Sequence, residues 1–155
     1  METSLVLIKP DGVQRRLVGR ILTRFEEKGL QIVGAKLIRI SNELAERHYA
    51  PHRGKPFYPG LVAFMTSGPV LALALRGKNS VAVVRKLLGA TFGSKAEPGT
   101  IRGDFGISDG FNLVHASDSP ETAKFELSLF FKPEEVLEYP MADTVWVYDT
   151  SSDLR

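Results

Sequence analysis

Residues whose types could carry a reaction are few in this sequence, and most lie in loops or at the ends of apolar runs. His115 sits within Asn112-Leu113-Val114-His115-Ala116-Ser117-Asp118, between polar residues able to fix an imidazole's tautomer and orientation. Glu126, in the helical pattern that follows, is spaced to reach back to one ring nitrogen and leave the other free as a nucleophile. Lys9, Arg85 and Arg102 come from three separated turns or helices. Each alone reads as a solvated surface charge. Converging beside His115, they would make a phosphoryl-transfer site, because such chemistry is mostly positioning and charge neutralisation and a planar guanidinium suits bidentate phosphate recognition.

Other patterns fall away on inspection. Gly89-Ala90-Thr91-Phe92-Gly93-Ser94-Lys95 approximates a P-loop, but its spacing is wrong, Ser precedes Lys and no strand leads into it. Asp104-Phe105-Gly106 matches a magnesium-binding triplet without the glycine-rich and catalytic loops that accompany it, so coincidence is the better account. His48 and His52 stand at a helical ligand spacing, yet Pro51 separates them and no third ligand joins them, which makes them surface or cap-like histidines. No dedicated metal motif is present.

The elements that must position these groups follow from apolar periodicity and turn residues. Ser4 to Ile8 reads as a buried strand ending in the turn cluster Lys9-Pro10-Asp11-Gly12, which presents Lys9. From Val13, apolar residues at Leu17, Ile21, Leu22 and Phe25 predict one amphipathic helix stopped at Gly29. Leu30 to Ile40 predicts a second strand, followed by a helix capped at Ser41-Asn42 and reaching about Tyr49. Pro51 to Pro59 reads as a loop, Leu61 to Met65 as a short helix, and Val70 to Leu75 as a third strand. A helix capped at Asn79 or Ser80 and closed by Gly89 comes next. Thr91 to Gly110 is a glycine-punctuated excursion, long enough to be a functional loop. Phe111 to Val114 predicts a strand that delivers His115 at its end, facing the helix begun by Ser119-Pro120-Glu121. The order implies an α/β sandwich with one sheet; spacing alone leaves the strand order open. No repeat or boundary divides residues 1–155, so a single domain is expected, with 140–155 as a C-terminal tail extension.

Composition bounds the function. The 155 residues are 43% hydrophobic and 25% charged, the profile of a globular protein with one real core. Lys plus Arg total 20 against 18 for Asp plus Glu, so the net charge of +2 is too small for a dedicated nucleic-acid binder, and phosphate affinity must come from a focused site. The absence of cysteine excludes disulfides, thiolate metal sites and thiol nucleophiles. Met-Glu-Thr-Ser leads into a short apolar run with neither a basic leader nor a cleavage pattern, and no apolar stretch is of bilayer-spanning length. A cytoplasmic protein is the expectation.

Asn112 to Asp118, N-L-V-H-A-S-D, closely resembles the NxxH(G/A)SD signature of nucleoside diphosphate kinases. Other blocks resemble the family in order and spacing: Lys9 to Val13, His48-Tyr49, Lys55-Pro56-Phe57, Thr66 to Val70, Pro98 to Phe105, and Phe131 to Glu135. The likeness runs from about Thr3 to Tyr139. It implies an α+β fold with a ferredoxin-like core, a four-stranded antiparallel sheet and surrounding helices. It also implies ping-pong transfer of the γ-phosphoryl group from a nucleoside triphosphate to a diphosphate through a phosphohistidine at His115 Nδ1. By the same carry-over Glu126, helped by Ser117, holds the other ring nitrogen. Arg85, Arg102 and Thr91 bind phosphates. Lys9, steadied by Tyr49, and Asn112 contact the sugar hydroxyl and the transferring group, while Phe57 stacks on the base. Mg²⁺ arrives with the nucleotide, held mainly by phosphate oxygens.

Three positions depart from the family pattern. Phe111 stands where many members have arginine, Asp109 where a small apolar residue commonly closes the other side of the base, and Phe92-Gly93 where Asn-Pro or a similar pair is usual. A carboxylate at 109 is an acceptor for a base donor, which implies a tilt toward guanine. The tail through Trp146-Val147-Tyr148 resembles longer, hexamer-forming members, so a homo-hexamer is favoured over a tetramer. Two rivals carry different functions: a family fold kept only as a protein- or nucleic-acid-binding module, and a ferredoxin-like RNA-binding domain. The intact set of His115, Lys9, Arg85, Arg102, Asn112 and Glu126 argues against the first. The lack of aromatic-rich strand motifs argues against the second.

Overall fold

The computed structural model describes residues 1–154. Its centre is a four-stranded antiparallel sheet of β1 (Glu2–Ile8), β2 (Gln31–Ile38), β3 (Val70–Gly77) and β4 (Val114–Ala116), in the order β2-β3-β1-β4. Both faces of the central strands are covered, which is why they read as continuous apolar runs and not as alternating ones. One face carries Val6, Ile8, Leu73, Leu75, Val114 and Ala116 against Ile21 and Phe25 of α2 (Val18–Glu27) and Val84 and Leu88 of α5 (Ser80–Leu88). The other carries Leu5, Leu7, Ala72 and Ala74 against three helices. These are α3 (Asn42–His48), α4 (Tyr58–Met65) and α7 (Pro120–Phe130), which contribute Ala45, Met65 and Phe130. Each fully buried Leu, Ile or Phe contributes about 1.5–3 kcal/mol, so the two layers clamp β1 and with it the short strand β4.

Helix limits follow the capping chemistry. Ser41 Oγ accepts from Leu44 N at 3.1 Å and Ser119 Oγ from Thr122 N at 3.0 Å, as an N-cap requires, with Pro120 at the first helical position. The expected single helix from Val13 to Phe25 is instead two, α1 (Pro10–Gln14) and α2. Leu17 N bonds Gly12 O and Arg16 N bonds Val13 O, both at 3.0 Å, while Arg16 takes the left-handed conformation with φ 59°. That is a Schellman closure, normally built on glycine and here on arginine, so no local signal announced it. The turn cluster at Lys9 to Gly12 is accordingly the start of α1.

The expected strand at Phe111 to Val114 is also displaced. β4 begins at Val114, so His115 lies within the strand, paired with Leu7, and not at its end. Asn112 and Leu113 form a kinked approach: Leu113 has φ 72°, its N–H donates to Asp11 Oδ2 at 3.0 Å, and its carbonyl accepts from Lys9 N at 2.8 Å. The long excursion before it contains a 3₁₀ turn at Gly93–Lys95 and α6 (Ile101–Phe105), and the tail holds a short helix, α8 (Thr144–Val147).

The turn after β1 depends on Gly12. A Cβ there would lie 2.7 Å from Ile8 Cγ2 and 3.2 Å from Leu113 O, inside the contact that joins α1 to the 112–113 kink. Gly12→Ala is expected to cost about 1–3 kcal/mol of stability through overpacking, read as a lower denaturant midpoint in equilibrium unfolding; an unchanged midpoint would contradict this packing.

Candidate active site

Antiparallel pairing with Leu7 turns His115 toward the sheet face covered by α3, α4 and α7, while its neighbours Val114 and Ala116 enter the opposite core. The seventh helical residue of α7 is Glu126, whose side chain is buried under that face. Its Oε2 lies 2.7 Å from His115 Nε2, and its Oε1 accepts from Ser117 Oγ at 2.7 Å. Ser117 is itself fully buried and tied to β1 through its N–H to Leu5 O at 3.1 Å. A carboxylate can only accept, so the His115 proton resides on Nε2 and the lone pair is left on Nδ1. Burial alone would push Glu126 up; the hydrogen bond from His115, its charge coupling and the Ser117 bond outweigh that and hold the carboxyl below its ordinary range.

The basic residues converge on the neighbouring loop. Lys9 Nζ donates to Asn112 Oδ1 at 2.8 Å, and Asn112 Nδ2 donates to Thr91 O at 2.9 Å. Arg102 is almost fully buried and donates to three backbone carbonyls: Asn112 O at 3.2 Å, Gly89 O at 3.2 Å and Val114 O at 2.7 Å. Arg85, exposed on α5, reaches Ala116 O at 3.3 Å. These cations feel one another. Burial, then Arg102, lowers Lys9 to about 8 against the pull of Asp11. Burial, then Arg85, lowers Arg102 to about 10. A set of like charges held at mutual cost beside an imidazole is an arrangement that an anion relieves.

His48 is not the surface or cap-like histidine expected from its spacing with His52. Ala45, His48 and Tyr49 fall on one stripe of α3, and that stripe packs under the site. The His48 ring is edge-on to His115 at 4.7 Å between centroids, and its Nδ1 is 3.3 Å from Glu126 Oε2. Burial, then His115, pushes His48 down to about 3, against the pull of Glu126, so this close approach is not an ion pair. The Tyr49 hydroxyl is buried without a hydrogen-bond partner, and burial together with Glu126 raises it, so it stays a neutral phenol. Lys9 bonds Asn112, and no hydrogen bond joins it to Tyr49.

At the periphery, Phe57 is half-exposed before α4, with Lys55 and His52 against its ring. Thr91 is exposed and engages Asn112 through its carbonyl. Asp109 Oδ1 accepts from Ser94 Oγ at 2.8 Å, and the Phe111 ring stacks on Phe64 at 5.0 Å. Thus His115, Glu126 and Ser117 form one hydrogen-bonded line, and Lys9, Asn112, Arg102 and Thr91 form a second network beside it. Tyr49 sits behind the first, Arg85 is coupled to the second through Arg102, and Phe57 stands apart on the rim. Reading the sequence missed Asp11 and His48. The i, i+3, i+4 spacing of Ala45, His48 and Tyr49 was a usable signal for His48.

Comparison with known proteins identifies the family. Residues 2–136 match the family model described as nucleoside diphosphate kinase. A nucleoside diphosphate kinase of Carboxydothermus hydrogenoformans is 54% identical over 149 residues, covering 96% of this chain and all of the relative. One from Synechococcus sp. strain JA-3-3Ab is 56% identical over the same length. Among solved structures, a halophilic nucleoside diphosphate kinase of Halobacterium salinarum in complex with CDP is similar with a TM-score of 0.93 and 49% identity, covering 96% of this chain and 99% of that one. The Encephalitozoon cuniculi nucleoside diphosphate kinase aligns with a TM-score of 0.92 at 42% identity, with 96% and 100% coverage.

Because an anion favours the protonated amine, a nucleoside diphosphate bound beside Lys9 would draw it back toward full charge. At pH about 8, where the free lysine is partly deprotonated, binding is expected to take up protons, and affinity is expected to fall as the pH rises further. Calorimetry in buffers of different ionisation enthalpy checks this. Uptake should disappear in Lys9→Met; uptake unchanged in that variant would contradict the assignment.

Proposed function

The chain belongs to the nucleoside diphosphate kinase family, enzymes that transfer phosphate between nucleotides, and we propose that His115 Nδ1 is the atom that carries the phosphoryl group. The single observation behind this is the 2.7 Å contact from His115 Nε2 to Glu126, which leaves Nδ1 as the ring's free lone pair. In the first half-reaction Nδ1 attacks the γ-phosphorus, the N–P bond forms and the bridging P–O bond breaks, releasing a nucleoside diphosphate. In the second, the terminal oxygen of another diphosphate attacks the same phosphorus and the N–P bond breaks. The Nε2 proton stays in place throughout, and Glu126 balances the positive charge that develops on the ring as Nδ1 bonds to phosphorus.

Lys9, Arg85 and Arg102 neutralise the phosphate oxygens in this proposal. Arg102 uses three of its five N–H groups on backbone carbonyls, which leaves two for an anion. Asn112 and the Thr91 segment hold Lys9 in line, Tyr49 packs edge-on against His48, and Phe57 offers an exposed ring for a base of any identity. The nucleotide brings Mg²⁺ with it. Among the described residues the converging histidine and carboxylate donors are His48, His115 and Glu126, and both Glu126 oxygens are already engaged, so phosphate oxygens and water suit the ion better. Mg²⁺ supplies further charge neutralisation on the phosphates when bound.

A hexamer remains the favoured assembly, supported by the highly exposed Ile107, Val145 and Trp146. The cytoplasm is the proposed compartment, in keeping with a cysteine-free chain; among the described residues no helix is long and apolar enough to cross a membrane.

Intact-protein mass spectrometry, kept alkaline after brief exposure to Mg-ATP, tests the reading. The protein is expected to gain a single phosphoryl group and lose it on a chase with a different diphosphate, whereas His115→Ala should gain none and lose turnover by at least about 10³-fold. Equal labelling of the variant would overturn the assignment of His115.

A further inference from the structure

The reaction as described gives His48 no task, yet its position is specific. Its imidazole is 1% exposed and meets three rings edge-on: Tyr49 at 4.4 Å, His115 at 4.7 Å and Phe130 at 5.2 Å. An aliphatic side chain would fill such a slot without burying two polar atoms, and neither His48 ring nitrogen has a hydrogen-bond partner. Nδ1 nevertheless lies 3.3 Å from Glu126 Oε2, the same oxygen that His115 Nε2 approaches to 2.7 Å. Two imidazole nitrogens therefore lie close to one carboxylate oxygen, that of His115 hydrogen-bonded to it and that of His48 off the hydrogen-bond line. The titratable groups around His48 are His115 from β4, Glu126 from α7, Lys9 after β1, Tyr49 at the end of its own helix and His52 just beyond.

Being neutral, His48 has one N–H and one lone pair. A lone pair this close to a carboxylate oxygen would repel it, so the proton belongs on Nδ1. We propose that His48 is a positioning residue: the dipole of its Nδ1–H, 3.3 Å from Glu126 Oε2 but off the line of a hydrogen bond, and its ring edge, set against His115, keep that oxygen anionic and in place on His115 Nε2 while phosphate bonds to Nδ1. The inference rests on the reading of His115 as the nucleophile. When the N–P bond forms, the ring of His115 becomes cationic and its Nε2 proton is drawn toward Glu126. A second N–H dipole close to the same oxygen lowers the carboxylate's proton affinity, so the proton stays on the ring and the oxygen keeps its charge.

Single-turnover phosphorylation by Mg-ATP across pH tests this in the full chain. His48→Asn places an N–H near the position of Nδ1, His48→Gln places one nearer Nε2, and His48→Leu fills the slot with neither. His48→Asn is expected within about threefold of wild type, and the other two slower by roughly 10–100-fold, the usual range for partners that orient a functional histidine. In those two the acid limb of the pH profile should move to higher pH, because Glu126 is then protonated more easily. Equal rates for the Asn and Gln variants, or a Leu variant as fast as wild type, would show that His48 only fills space. Independently of any variant, ¹⁵N spectra of the wild-type protein should find the His48 proton on Nδ1; a proton on Nε2 overturns the proposal. If wild-type protein takes up no phosphoryl group on His115, the underlying reading falls as well, whereas a labelled wild type with unresponsive variants removes this inference alone.

Discussion

A carboxylate taken out of water must have each oxygen answered, and the arrangement around Glu126 follows from that constraint. Its Oε1 is held by Ser117 and its Oε2 by His115. Ser117 is anchored to β1 by a backbone bond to Leu5, and His115 is registered opposite Leu7. The carboxylate therefore joins α7 to β4 and the central strand at the point where the sheet is most rigidly clamped. The same bonds that make the burial tolerable decide which imidazole nitrogen is free. Stability of the buried acid and the proposed nucleophilicity of Nδ1 rest on one hydrogen-bond pattern.

The loop beside it shows the opposite balance. Lys9, Arg85 and Arg102 are brought together without an equal number of carboxylates; Lys9 is displaced downward by burial and by Arg102, and Arg102 by burial and by Arg85. Backbone carbonyls of residues 89, 112, 114 and 116 receive the guanidinium N–H groups, so the arginines also fix the kinked approach to β4. Asp11 completes that approach by holding Leu113 N with one oxygen, while its other oxygen is buried without a partner. The unliganded protein thus holds a positive field at the place proposed for a polyphosphate. The cost is small beside the cores on either side of the sheet and is relieved on binding.

Much of this was legible in the sequence because periodicity and caps are local. Ser41 and Ser119 cap the helices they were expected to cap, and the three longer strands fall within two residues of their apolar runs. Glu126 could be paired with His115 from spacing alone. What escaped was decided by tertiary contacts. The break at Arg16 rests on a left-handed arginine, and the start of β4 rests on Asp11 reaching across from α1. His48 was taken for a surface histidine because its separation from His52 drew attention away from the stripe that it shares with Ala45 and Tyr49. The fold and antiparallel sheet implied by the family resemblance are present.

The central claim is that the Glu126 contact fixes the proton on His115 Nε2 and so dictates where phosphate is carried. Nuclear magnetic resonance of ¹⁵N-histidine-labelled protein after phosphorylation, read through the ³¹P–¹⁵N couplings of the phosphorylated ring, tests that regiochemistry directly. The account predicts phosphorus on Nδ1 with Nε2 still protonated. Phosphorus on Nε2 would mean that the 2.7 Å bond to Glu126 is broken for chemistry, and the account built on it would fail.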